Sequence, residues 1–137
     1  MSSDTVTLTD IRSADWSLKV GTLGAVVQSL EDIDQCIGII LGTPLGSDPL
    51  RPTFGTDIWQ LIDGPVSLSF PSIVREVSAA IAMWEPRVTL QSVQVSPVID
   101  GGSQSGAHLN VSITWKLKLS DPSAATQTTV IAIGGTV

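Results

Sequence analysis

Leu109-Asn110-Val111-Ser112-Ile113-Thr114-Trp115-Lys116-Leu117-Lys118-Leu119 is an unbroken alternation of apolar and polar residues. Successive strand residues point to opposite faces, so Leu109, Val111, Ile113, Trp115, Leu117 and Leu119 share one face and the polar residues share the other. One dry face and one wet face predict an antiparallel strand in a sheet covered on a single side. Upstream, Val88 and Leu90 alternate, then Val93 and Val95 continue in the opposite phase, which predicts a bulge near Gln91-Ser92. Asp100-Gly101-Gly102-Ser103 reads as the turn joining these two strands, and Asp121-Pro122-Ser123 as the next turn. Thr128 to Ile133 is rich in β-branched residues and predicts a last strand, after which Gly134-Gly135 releases the chain.

The first half has a different period. Trp16, Leu18 and Val20 alternate with Ser17 and Lys19 and predict one short strand, with Gly21 and Gly24 punctuating the residues after it. Ser29 is placed to cap a helix whose Leu30, Ile33, Ile37, Ile40 and Leu41 recur at helical spacing. Gly42-Thr43-Pro44 ends it, because proline cannot continue the hydrogen-bond ladder. The following loop holds Pro44, Pro49 and Pro52, so it loses little entropy on docking. Thr56 can cap a short helix carrying Ile58, Leu61 and Ile62, which Asp63-Gly64-Pro65 stops. A third helix is expected from about Ser69, with Pro71 in its first turn and Phe70, Ile73, Val74, Val77, Ile81 and Trp84 as its stripe. Pro86 then forces Glu85 out of helical geometry. The reading is α+β, with about three helices packed on one face of a small antiparallel sheet. It expects a single domain over residues 1–137, with a polar, flexible N-terminal arm over residues 1–10.

Hydrophobic residues make up 42% of the chain and charged residues 15%, which fits a folded protein with some apolar surface covered by partners. The net charge of −6 and the scattered Lys and Arg argue against direct binding to nucleic acid or anionic lipid. The one cysteine, Cys36, lies in an apolar helical run and reads as a reduced thiol, and its one conceivable activating partner is His108. MSSDTVTLTD has no secretory pattern and no apolar run is long enough for a membrane span, so synthesis and assembly in the cytoplasm are expected. One His and one Cys offer no clustered metal ligands, and Gly21-Thr22-Leu23-Gly24 lacks the rest of a phosphate loop, so no metal and no cofactor are expected.

Three segments and one tryptophan carry the candidate sites. Glu85-Pro86-Arg87 puts opposite charges on a rigid hinge, free to pair with each other or with a partner's charges. Arg51-Pro52-Thr53-Phe54-Gly55 closes the proline-rich loop, with Phe54 expected as a core plug and Arg51 pairing with Glu85 or a neighbour. Trp59 lies off its helix's apolar stripe and reads as a contact residue. The last strand, Thr128, Thr129, Val130, Ile131, Ala132 and Ile133, has neither charge nor proline to blunt an open edge.

Taken with the Glu85-Pro86-Arg87 tripeptide, the run Gln35 to Gly55 resembles the baseplate wedge and sheath-initiator family of contractile injection machines. The residues that carry the resemblance are Gln35, Ile37, Ile39, Leu41, Thr43, Gly46, Arg51, Pro52, Phe54 and Gly55. It covers roughly Asp15 to Val95, while the turn from Pro97 to Ala107 and the extension beyond Ala125 depart from the family pattern. The resemblance implies a structural part of a virion tail baseplate, with no catalytic residue. Glu85, Pro86, Arg87 and Arg51 would dock to other baseplate wedge proteins, and Thr128 to Ile133 would exchange a strand with tail sheath protein. Tail tube or hub proteins are further expected partners. Phage, tailocin and type VI secretion origins all stay open. Two other readings stand beside it: a lysozyme-like cell-wall glycan hydrolase, and a soluble regulatory anti-adapter of the same fold. The first needs two carboxylates flanking a sugar cleft, and no such pair lies beside an aromatic platform in this sequence.

Overall fold

A computed structural model of the chain describes residues 5–62, 66–97, 109–118 and 125–133. The helix stop at Asp63-Gly64-Pro65, the turns at Asp100–Ser103 and Asp121–Ser123, His108, Leu119 and Gly134-Gly135 lie outside those residues, as do the first four of the N-terminal arm. The fold is mixed α+β, with three α-helices and two small antiparallel sheets among the described residues. The chain divides into two compact units, Met1–Gly38 and Ile39–Val137, with the boundary inside the first helix.

In the first unit, β1 (Trp16–Leu18) pairs antiparallel with β2 (Val26–Gln28). The second strand was not expected from the sequence. At three residues it is too short to show a period, although Val26 and Val27 are buried. Gly21 and Gly24 turn the chain between the strands in the left-handed region, with φ of +82° and +76°. Thr7 bridges to Ala25, and the Val26 amide donates to the Val6 carbonyl at 2.9 Å, so residues 6 and 7 lie along the second strand. A 3₁₀ turn, Leu8–Asp10, follows.

Helix α1 (Leu30–Gly42) buries Ile33, Ile37, Ile40 and Leu41 as the spacing predicted, and leaves Leu30 exposed. Ser29 precedes it with φ of +56°, a left-handed conformation unlike the extended one of an ordinary N-cap. Two glutamines brace this unit. The Gln28 side-chain oxygen accepts from the Arg12 and Ser13 amides at 2.6 and 3.0 Å. Gln35 accepts from the Val20 amide at 2.9 Å and donates to Ser17 Oγ and the Leu18 carbonyl, tying the hairpin to the helix. The Cys36 thiol is half-buried.

In the second unit, α2 (Ile58–Leu61) precedes α3 (Val66–Trp84), and α3 packs on β3 (Val88–Pro97). Helix α3 begins a turn earlier than expected. Pro71 is therefore inside the helix, where it gives up one backbone bond, and not in the first turn. Strands β3, β4 (Leu109–Leu117) and β5 (Gln127–Ile133) form an antiparallel sheet in that order. The register shifts between Leu90 and Ser92, where the phase slip placed the bulge. Leu109, Val111, Ile113 and Trp115 are all at most 5% exposed, so the alternation of β4 reads directly as its buried face. Each such side chain contributes about 1.5–3 kcal/mol of transfer free energy. Trp115 Nε1 donates to Thr129 Oγ1 at 2.9 Å, which satisfies the indole and locks β5 to β4.

Candidate docking site

Helix α3 ends because Pro86 excludes helical geometry at the residue before it. The Glu85 amide still completes the ladder to the Ile81 carbonyl at 2.9 Å, and the chain then turns into β3. The turn points Glu85 inward, 2% exposed, and Arg87 follows two residues later. Arg87 Nε and Nη2 donate to the two Glu85 carboxylate oxygens at 2.6 and 2.8 Å, a bidentate fork. About a third of the Arg87 side chain, 31%, remains exposed. The Arg87 carbonyl accepts from the Lys118 amide at 2.9 Å, so the hinge is also tied to the end of β4. Of the alternatives the sequence left open for the two charges, the structure shows them paired with each other.

The loop of residues 43–56 is closed at its neck by a parallel bridge between Pro44 and Thr56. The Thr56 amide donates to the Thr43 carbonyl at 3.0 Å, and the Leu45 amide to the Thr56 carbonyl at 3.1 Å. Thr56 Oγ1 donates to the Leu41 carbonyl at 3.3 Å. Thr56 is thus a buried clasp and not the expected cap of α2, whose N-cap position falls to Asp57. Gly55 has φ of +102°, and a Cβ there would lie 2.2 Å from the Thr43 carbonyl oxygen. The glycine is required by close backbone approach as well as by handedness.

Inside the loop, Phe54 is buried as expected and meets Trp84 edge-to-face with centroids 5.1 Å apart. Trp84 Nε1 donates to the Thr53 carbonyl at 3.2 Å. Arg51 does not pair with Glu85. Its guanidinium lies 4.3 Å over the Phe54 ring, and its Nε donates to Asp48 at 3.0 Å. Asp48 is three residues away on the same tight loop, whereas Arg87 already occupies both Glu85 oxygens. The Leu50 amide, and after it Arg51, hold the Asp48 carboxyl below the usual carboxylate range. Asp48 and Trp84 were missed as members of this cluster. The Asp-Pro pair at Asp48-Pro49 was a turn signal that could have suggested the first.

Trp59, 38% exposed, keeps part of its ring at the surface of α2. Along β5 the side chains alternate: Thr129 and Ile133 are buried, while Thr128, Val130 and Ala132 are exposed. Among the described residues β5 pairs on one side, with β4, and forms an edge of the sheet. The structure thus brings Arg51 together with Phe54 and Trp84, and Glu85 with Arg87.

Residues 27–121 match the family model described as baseplate wedge protein gp25. The chain is 40% identical to baseplate protein W of Escherichia phage P2 over 82 residues, 57% of this chain and 69% of that protein. It is 33% identical to baseplate wedge protein gp25 of Enterobacteria phage T4 over 88 residues, 63% of each chain. Among solved structures, a candidate tail lysozyme from Geobacter sulfurreducens superposes with a TM-score of 0.64 at 30% identity, covering 78% of this chain and 92% of that one. A chain of the postcontracted pyocin R2 baseplate matches with a TM-score of 0.58 at 30% identity, over 75% of this chain and 98% of that one. A chain of the anti-feeding prophage baseplate shares the fold at 19% identity, with a TM-score of 0.60 over 80% of this chain and 86% of that one.

Proposed function

We propose, for a chain that belongs to the gp25 baseplate wedge family, a structural role with two docking faces. One face is the hinge Glu85-Pro86-Arg87, with Arg51 on its loop and Trp59 on α2, which holds the chain to other wedge proteins. The other is the edge of β5, which joins a strand of tail sheath protein and so starts the sheath in register. Tail tube or hub proteins are neighbours of the same assembly, which forms in the host cytoplasm and ends in the virion tail.

The observation that carries the reading is the edge itself. Thr128 to Ile133 pairs with β4 alone among the described residues and has no charge, no proline and no bulge on it. Proteins that end at a sheet edge commonly blunt it by such devices, and this edge lacks them. The hinge supports the other face, since a guanidinium fixed by a bidentate carboxylate is presented without further loss of side-chain entropy.

Proline substitution at two neighbouring positions, Ile131 and Ala132, tests the edge. In an antiparallel ladder one of two successive amides faces the paired strand and the other faces outward. The proline that removes the inward amide weakens the fold. The one that removes the outward amide leaves the fold intact, allows baseplates to form, and suppresses sheath growth. Normal sheaths on particles carrying the well-folded variant would refute strand exchange. Deleting the residues after Ala125 is a poorer test, because it removes Thr129 from Trp115 and the buried Ile133 from the core.

A second reading, glycan hydrolysis, is raised by the name of the Geobacter protein. Both oxygens of Glu85 are engaged by Arg87, so this carboxylate is poorly placed to give a proton to a sugar oxygen. Cleared bands in a cell-wall zymogram of the purified chain would favour the enzyme; we expect none.

A further inference from the structure

A small cleft lies between the loop of residues 43–56 and the second half of α3. Its volume is about 120 Å³, and its lining includes Leu45, Gly55, Ala79, Ala80, Met83 and Glu76. Ligand pockets are usually about 300–1,000 Å³, so this space suits one side chain and not a sugar or a nucleotide. The small residues leave the room, and Leu45 and Met83, 46% and 64% exposed, form a partly exposed apolar rim. Met83 is unbranched and polarizable, and can adapt to an incoming group. Gly55 fixes the loop side of the cleft, because its contact with the Thr43 carbonyl leaves no room for a Cβ.

Glu76 gives the cleft its polarity. It lies half-buried on the lining and has no ion pair among the described residues, unlike Glu85 and Asp48, which hold arginines. A carboxylate beside an apolar slot favours a cation next to the group that fills it. We infer that this cleft receives one large apolar side chain of another baseplate protein, with a Lys or Arg of the same segment reaching Glu76. The inference rests on the docking reading above and names the chemistry of one docking partner. The cleft borders the hinge through Trp84 and Thr53, which also line it, includes no residue of the β5 edge, and places a socket on the helical side of the unit.

Three variants in the whole assembling machine test it. Ala79→Trp fills the slot from an exposed helix position, and Glu76→Gln removes the charge while keeping the shape. We expect Ala79→Trp to fold and to lose incorporation into baseplates by about tenfold or more, and Glu76→Gln to lose about threefold. A photo-crosslinking residue at position 79 should capture a peptide with a large apolar side chain and a Lys or Arg within about one helical turn of it. Wild-type incorporation of both substitutions, or a captured peptide with no basic residue, overturns the socket. If Ala79→Trp fails to fold, Glu76→Gln and the crosslink decide. Loss of incorporation by hinge variants with none by cleft variants would leave the docking reading standing and remove the socket, whereas unaffected incorporation by all of them would remove both.

Discussion

At the scale of single residues, the strongest constraints are ones of space and of buried charge. Gly55→Ala forces a Cβ to within 2.2 Å of the Thr43 carbonyl at a φ of +102°, so the neck of the loop must open. The expected loss is roughly 2–4 kcal/mol by urea unfolding, and a loss under 1 kcal/mol would mean that the neck yields freely. Arg87→Ala strands the Glu85 carboxylate at 2% exposure and should destabilise the fold by about 2–4 kcal/mol. Removing Glu85 as well should restore part of that loss, which a double-mutant cycle measures. Incorporation assays on Arg87 variants therefore belong well below each variant's melting midpoint. Asp48 gives a pH signature. Its carboxyl is held below the usual value, so its contribution is complete above the ordinary carboxylate pKa of about 3.9 and is lost as pH falls through the lowered one. The stability difference between the wild type and Asp48→Asn should thus be flat at neutral pH and shrink in acid.

At the scale of elements, the long periodic segments were legible and the short ones were not. The alternation in β4, the phase slip in β3 and the stripes of α1 and α3 each repeat often enough to fix a period. Strand β2 offers three residues, and the start of α3 is set ahead of Pro71, at a place where the proline suggested a first turn. Thr56 looked like a cap because threonine before an apolar run usually is one. Its backbone was instead claimed by Thr43 and Leu45, partners far away in sequence or across the loop. The β4–β5 pair yields a clean test of how the edge strand is held. Thr129→Val leaves the Trp115 indole without its acceptor and should cost about 1–3 kcal/mol. Val130→Lys, on an exposed position of the same strand, should change stability by no more than about 0.5 kcal/mol. Thermal melts of the two variants should separate accordingly, and equal effects would mean that β5 is not anchored through Thr129.

At the scale of the molecule, a chain with 15% charged residues keeps Leu18, Val20, Leu23, Leu50 and Met83 each more than 60% exposed. That surface suits a part built into a larger body. The candidate site was legible only in outline. Glu85, Arg87, Arg51 and Phe54 could be singled out by type and by resemblance. The partner of each charge could not, because two arginines and several carboxylates compete and only the folded loop decides which lie within hydrogen-bond reach. The cleft beside α3 had no sequence signal, since small residues on a helix mark a vacancy only once the facing loop is in place. A cryo-electron-microscopy reconstruction of the assembled baseplate at side-chain resolution would show what lies against the β5 edge and the hinge. We expect an added strand from another chain hydrogen-bonded along the outer edge of Thr128 to Ile133, and a neighbouring protein seated on the Glu85–Arg87 hinge. A β5 edge bordered only by solvent or by this chain's own residues, with the hinge uncovered, would contradict the two-face docking role.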